Sequence, residues 1–195
     1  MVKAIFLDRD GTLNEEVNYL TRIQDIKIFP NTIQALRKFK SLGFLNIIVT
    51  NQSGIARGYL SESDLEKIHN EFRILLKLNG KELIDDIYYS PYHIDGIVKE
   101  YKIDSEDRKP GTGMIRKAQS KHRINLKESF FIGDTFKDMK CAENLHIKRI
   151  LVKTGCGEDE YKKCKEEKIY LDYFAEDLFD ASQFVERLCT IEQKN

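Results

Sequence analysis

The chain has 195 residues, with 32 Lys and Arg against 32 Asp and Glu, so its formal net charge is zero. That balance excludes general nucleic-acid binding, which needs a basic excess. Hydrophobic residues make up 41%, too many for a disordered chain, and with 11 Gly and 3 Pro the collagen-like and low-complexity classes are also excluded.

At this length one domain over residues 1–195 is expected. No apolar run approaches the ~20 residues that span a bilayer, so no membrane association is expected. The first residues carry one lysine and a short apolar run that stops at Asp8. They lack the length and small-residue cleavage site of a signal peptide. The cysteines, Cys141, Cys156, Cys164 and Cys189, form no C-x-x-C and no metal-ligand spacing. Reduced thiols in a cytoplasmic protein are therefore expected.

In chain order, residues 3–7 (K-A-I-F-L) read as a buried strand. Residues 31–42 read as a helix with Asn31 as N-cap, apolar Ile33, Leu36 and Phe39, and Gly43 as its stop. A second buried strand covers 44–49. Ser61 and Asp64 have capping-box spacing and open a longer helix. Its apolar face is Leu65, Ile68, Phe72, Leu75 and Leu76, its polar side includes His69, and Asn79-Gly80 stops it. A third strand is expected at 83–89, then an irregular stretch at 90–110 and a helix at 113–122. A fourth strand at 130–132 ends at Gly133, residues 139–145 are helical, and a fifth strand covers 149–152. A charged stretch, 158–168, comes next and is assigned no element. A short strand near 170–174 and a helix over about 177–188 follow. Alternating strands and helices imply an α/β fold, a Rossmann-like parallel sheet with helices on both faces.

In such sheets ligands bind beyond the carboxyl ends of the strands. There the sequence offers Asp8, Asp10 and Thr12 after the first strand, and Thr50, Asn51, Gln52 and Ser53 after the second. Arg108 and Lys109 follow the irregular stretch, and Asp134 follows the fourth strand. Carboxylates suit a hard divalent cation such as Mg²⁺, while a lysine and a hydroxyl suit a phosphoryl group. The set fits metal-assisted phosphoryl transfer to a carboxylate nucleophile.

The order D-R-D-G-T (8–12), T-N-Q (50–52), R-K-P (108–110) and G-D-x-x-x-D (133–138) resembles the haloacid dehalogenase superfamily of phosphohydrolases. The longer strings D-R-D-G-T-L-N, T-N-Q-S-G-I-A-R-G and R-K-P-x-x-G-M look like its heptose bisphosphate and histidinol phosphatase branch, leaning toward the heptose 1,7-bisphosphate 7-phosphatases. The resemblance implies a Mg²⁺-dependent phosphatase without a large cap domain, acting on a small phosphorylated metabolite such as a sugar bisphosphate. Asp8 would be the nucleophile, Asp10 the general acid and base, and Thr50 and Lys109 the holders of the phosphoryl oxygens. Asp8, the Asp10 carbonyl and Asp134 would bind Mg²⁺. Arg9, Glu16, Val17, Asn18, Tyr19, Asn51, Gln52, Ser53 and Arg108 would meet the substrate. Asp138 would cap the next helix or orient Lys109. A histidinol phosphatase or other small-metabolite phosphatase, and a catalytically silent binding protein on this fold, are the alternatives. A monomer is expected.

Two departures stand out. Where many relatives in this branch carry a C-x-H and C-x-C zinc set, this chain has Ser90, Tyr92, Ser105 and Asp107. No structural zinc is expected, and packing of Tyr92, Ile94, Ile97 and Tyr101 should hold that loop instead. The residue after Asp134, typically a substrate-binding lysine in the branch, is Thr135.

Overall fold

Alternation along the first strand sets the architecture. In β1 (Lys3–Leu7) Ala4 and Phe6 face one core and Ile5 and Leu7 face the other, all fully buried. A strand apolar on both faces needs cover on both sides. The computed structural model describes residues 1–192 and supplies that cover.

After β1 come α1 (Thr32–Ser41), β2 (Phe44–Asn51), α2 (Glu62–Leu75) and a small hairpin, β3 (Lys77–Leu78) with β4 (Lys81–Glu82). Then follow β5 (Asp86–Ser90), α3 (Gly113–His122), β6 (Phe130–Gly133), α4 (Phe136–Glu143) and β7 (Lys148–Val152). Helix α5 (Gly157–Glu166), β8 (Tyr173–Ala175) and α6 (Leu178–Glu192) complete the order. Six strands form one parallel sheet, β5-β2-β1-β6-β7-β8. Helices α1, α2 and α6 contribute to the core on one face, and α3, α4 and α5 to that on the other. Among the described residues no helix is long and apolar enough to cross a membrane.

The chain runs from β1 outward to β2 on one side and returns to place β6 on the other. The order of the sheet therefore reverses between β1 and β6, where such folds open a crevice at the carboxyl ends. Leu7 pairs with both Ile48 and Ile132, so β1 and β6 end close to one level, at Leu7 and Gly133, while β2 runs on past it to Asn51. Asp8 N–H still donates to Ile132 O at 3.0 Å, which fixes Asp8 at the foot of that crevice.

Several expectations need correction. The charged stretch 158–168 is largely helix α5. Three acids in its first turn and two lysines in its last complement the helix dipole, a signal stronger there than its sparse apolar face. Asn79-Gly80 does more than stop α2. Both residues take positive φ and form the turn of the β3–β4 hairpin, as this dipeptide favours. The third strand therefore starts at Asp86, and Leu83 and Ile84 are buried ahead of it. Asn31 precedes α1 but makes no side-chain cap bond, because its φ of 64° is left-handed. Helix α4 begins at Phe136, set by a Thr135–Asp138 capping box. Leu75 is 40% exposed, and Leu76, just past the helix, is buried in its place. Ile94 and Ile97 are 58% and 80% exposed, so they do not hold the 90–110 loop by packing. Backbone bonds tie it instead: Ile97 and Val98 N–H to Ala56 O, Ala56 N–H to Pro91 O, and His93 N–H to Tyr101 O. The Tyr92 and Tyr101 rings do meet, with centroids 6.2 Å apart.

Candidate active site

Four chain segments meet above the carboxyl ends of β1, β2 and β6: the turns after these strands and the end of the 90–110 loop. Asp8, Asp10, Thr50, Lys109 and Asp134 line one cavity of about 180 Å³. It shares Asp10, Glu16, Asn51, Ser53 and Cys156 with a neighbouring cavity of about 350 Å³, so the two form one cleft.

Lys109 is the electrostatic centre. Its buried ammonium lies 2.8 Å from Asp8 Oδ1 and 2.6 Å from Asp138 Oδ1, and donates to Val49 O at 2.9 Å. Burial opposes its charge, but the two carboxylates outweigh burial and raise its proton affinity, so it stays an ammonium. Asn51 clasps the same residue from the backbone side: Lys109 N–H donates to Asn51 Oδ1 at 3.0 Å and Asn51 Nδ2 to Lys109 O at 3.1 Å. Asp138, fully buried, both caps α4 through Thr135 and faces Lys109. The two roles that the sequence left open for it coexist.

Asp8 and Asp134 carry more negative charge than the protein around them offsets. Burial pushes both carboxyls above the usual range; Lys109 pulls Asp8 back only in part, and Asp8 and Asp138 push Asp134 further. Carboxylate oxygens of Asp8, Asp134 and Asp138 lie within 4.8 Å of one another. Asp138 is engaged with Lys109 and Thr135, which leaves Asp8 and Asp134. Asp134 Oδ2 accepts from Cys156 N–H at 2.9 Å, while its Oδ1 is buried without a partner. Gly11 and Gly155, both at positive φ, border that carboxylate, and a Cβ on either would overlap it. A hard-oxygen donor set, surplus negative charge and an orphaned buried oxygen together fit a divalent cation such as Mg²⁺.

Asp10 is held differently. Arg9, fully buried, donates from Nε to Asp10 Oδ1 at 3.0 Å and from Nη2 to Oδ2 at 2.6 Å. Asn14 Nδ2 and Gln52 Nε2 add bonds at 3.0 and 2.9 Å. Burial would raise this carboxyl, but the Arg9 charge and these hydrogen bonds bring it below its ordinary value. Two neighbouring carboxylates thus have opposite proton affinities. Beneath Arg9, His69 is buried, which corrects the expectation of a polar-face histidine. Burial, then the Arg9 charge, pushes it down to about 3, so its neutral Nε2 faces Arg9 Nη1 at 3.3 Å.

The remaining predicted residues divide in two. Glu16, Asn18, Tyr19, Asn51, Gln52 and Ser53 line the cleft, as do Thr50, Lys109 and Arg108. Arg9 and Val17 do not: Arg9 lies beneath Asp10, and Val17 packs on the core. Gln52 lines the cleft yet spends its amide on Arg9, Thr50 and Asp10. Arg108 makes no ion pair with Asp107 or Glu106 among the described residues; Asp107 pairs with Lys117. Asn14, Cys156 and Lys137 are functional neighbours that the sequence reading passed over. Asn14 ends the D-R-D-G-T-L-N string, and Cys156 lies in the turn after β7, where the strand-end rule applies equally.

Residues 106–181 match the HAD-hydrolase-like family model. The chain is 44% identical over 155 residues to D-glycero-alpha-D-manno-heptose-1,7-bisphosphate 7-phosphatase of Photorhabdus laumondii, covering 79% of this chain and 84% of the relative. It is 38% identical over 192 residues to the D-glycero-beta-D-manno-heptose-1,7-bisphosphate 7-phosphatase of Haemophilus influenzae, covering 96% and 99%. The crystal structure of D,D-heptose 1,7-bisphosphate phosphatase from B. bronchiseptica, complexed with magnesium and phosphate, superposes with a TM-score of 0.84 at 25% identity, over 96% of this chain and 99% of that one.

Proposed function

The chain belongs to the D-glycero-D-manno-heptose-1,7-bisphosphate 7-phosphatase family of haloacid dehalogenase-like hydrolases, and from that premise we propose that it removes the 7-phosphate of this sugar bisphosphate through an aspartyl-phosphate on Asp8. The observation that carries this is the pairing of two adjacent carboxylates in opposite electrostatic settings beside a buried ammonium.

An Asp8 carboxylate oxygen attacks phosphorus as the bond from phosphorus to the sugar oxygen breaks. Asp10 gives its proton to that leaving oxygen. Asp10 rests ionised on Arg9; the negative phosphoryl group entering beside it raises its proton affinity, and Asp10 takes up from solvent or from the phosphate monoanion the proton that it passes to the leaving oxygen. Water then attacks phosphorus, Asp10 takes a proton from it, and the Asp8–phosphorus bond breaks to release phosphate. The Thr50 hydroxyl and the Lys109 ammonium hold the transferring oxygens, a fixed match to charge that costs no reorganisation. Asp8, Asp134 and the Asp10 carbonyl would hold Mg²⁺, which supplies positive charge against the phosphoryl oxygens when bound.

Glu16, Asn18, Tyr19 and Ser53 line the larger cavity, and we assign them to the sugar. Tyr19 and Tyr59 meet edge to face at 4.8 Å at its mouth. The relatives include both alpha and beta anomer enzymes, so the anomer is a separate question from the reaction.

The test is phosphate release with Mg²⁺ from D-glycero-D-manno-heptose 1,7-bisphosphate, with histidinol phosphate alongside. The expected product is the heptose 1-phosphate. Release from histidinol phosphate alone would move the protein to that activity, and no release from any phosphomonoester would defeat the reading.

A further inference from the structure

His69 is a buried imidazole that does not line the cleft, yet its Nε2 lies 3.3 Å from Nη1 of Arg9. A guanidinium only donates, so Nε2 accepts and the ring's proton sits on Nδ1. Burial and the Arg9 charge keep the ring neutral, which leaves Nε2 able to accept. Two aromatic rings fix the contact. His69 and Phe72 are one turn apart on α2 and share a face, and the Arg9 guanidinium lies 5.3 Å from the centre of the Phe72 ring. Tyr89 of β5 packs against the imidazole with ring centroids 5.6 Å apart. Its hydroxyl donates to Glu62 Oε1 at the start of α2 at 3.2 Å, which ties the ring to the same helix.

Arg9 transmits this hold to the acid–base carboxylate. Its Nε and Nη2 form a fork on Asp10, Nη2 also donates to Gln52 Oε1 at 3.0 Å, and His69 is the partner of Nη1 among the described residues. Of the side-chain donors on Asp10 among the described residues, two come from Arg9, one from Gln52 and one from Asn14. Gln52 is itself anchored by Arg9, so the Asn14 bond alone of these stands apart from the guanidinium. Gln52 Nε2 also donates to Thr50 Oγ1 at 2.9 Å, which carries the network to a residue placed against the transferring oxygens. A planar fork fixes the plane of the carboxylate that it grips. With Nη1 unpaired in a buried site, the guanidinium would turn toward another acceptor, and the carboxylate would turn with it.

We propose that His69 is a positioning residue for the phosphatase reaction: by accepting from the far end of Arg9, it holds the Asp10 carboxyl in the orientation from which it protonates the leaving oxygen. The proton still passes from Asp10 to the sugar oxygen as the phosphorus–oxygen bond breaks, and His69 exchanges no proton itself. A turned acid slows that step and leaves substrate binding alone, because the groups that meet the phosphate and the sugar stay in place. The inference rests on the proposed phosphatase activity and deepens it.

The test compares kcat/KM for D-glycero-D-manno-heptose 1,7-bisphosphate with that for p-nitrophenyl phosphate. A sugar alkoxide needs a proton to leave and p-nitrophenolate does not, so only the first substrate depends on the acid. Unfolded protein lowers both constants alike, so their ratio does not respond to stability. His69→Phe keeps a ring against Tyr89 but no acceptor. It should lower the heptose constant at least tenfold and the p-nitrophenyl constant by less than about threefold. His69→Gln, whose Oε1 reaches about as far as Nε2, should keep the ratio within about threefold of wild type. His69→Asn, whose oxygen stops short, should behave as the Phe variant, and the Gln and Asn pair decides the matter where His69→Phe fails to fold. Equal losses for the two substrates, or a ratio that does not move in the Phe and Asn variants, overturn the proposal. Histidine ¹⁵N spectra of metal-free wild type should show Nε2 of His69 unprotonated at pH 7, and a protonated Nε2 overturns the proposal with no turnover needed. A wild type that releases phosphate from neither ester overturns the phosphatase reading, and the positioning role with it.

Discussion

Replacing Arg9 with methionine should destabilise the protein chiefly by stranding Asp10. The methionine keeps most of the contact with Phe72, over whose ring the Arg9 guanidinium lies at 5.3 Å. It removes both bonds to Asp10, one to Gln52 Oε1 and the contact with His69. Breaking a buried ion pair by deleting one partner costs about 3–5 kcal/mol. For a chain of this size each kcal/mol moves Tm by about 2–4 °C, so Tm should fall by about 6–20 °C. Asp10 has a depressed folded-state proton affinity, so its contribution is present above the unfolded carboxylate value near ~4 and is lost as pH falls through the lower folded value. The penalty of Arg9→Met should therefore be full at pH 7 and shrink in acid. Adding Asp10→Asn to Arg9→Met removes the stranded charge and should recover about 2 kcal/mol or more. The assay is thermal and urea unfolding in EDTA. A loss under about 1 kcal/mol for Arg9→Met, or no recovery in the double variant, would refute the reasoning.

Other consequences follow from the same electrostatics. Asp8 and Asp134 have raised folded-state proton affinities, so in metal-free protein their ionisation costs stability as pH rises above the ordinary carboxylate range. A bound cation removes that cost, so the stabilisation given by Mg²⁺ should grow between pH 5.5 and 8. A pH-independent Mg²⁺ effect on urea midpoints would contradict this. Asp138→Asn keeps an oxygen for Thr135 but turns an N–H donor toward the buried Lys109 ammonium and removes the charge facing it, so Tm should fall and kcat of the protein that remains folded should drop at least tenfold. Equal activity in a steady-state assay would limit Asp138 to capping α4. Ser90, Tyr92, Ser105 and Asp107 offer no thiolate or imidazole, so protein purified in metal-free buffer should carry no stoichiometric zinc by elemental analysis. One equivalent per chain would refute it.

Local patterns made much of this legible. The alternation in β1 and the positions of Asp8, Thr50 and Asp134 just beyond or at strand ends depend on nearest neighbours and periodicity, which a sequence displays. Helix α5 was missed because only Gly157 and Cys164 are buried within it, so its apolar period is faint. The setting of Arg9 was not legible, because it depends on Gln52 and His69, far along the chain. A D-R-D string shows an arginine between two carboxylates but not that its side chain turns down into the core. The loop over 90–110 is held by backbone bonds, which leave no mark on side-chain composition. Lys137 shows the limit from the other side: as one of many lysines it carries no local signal until the cavity that it faces is known.

The central claim is covalent capture of the phosphoryl group by Asp8. Enzyme mixed with D-glycero-D-manno-heptose 1,7-bisphosphate and Mg²⁺, then quenched with borohydride during turnover, should yield homoserine at position 8 by peptide mass spectrometry. The signal should need both substrate and Mg²⁺ and appear at no other aspartate. Rapid phosphate release with Asp8 unmodified under these conditions would contradict the account and assign the attack to water instead.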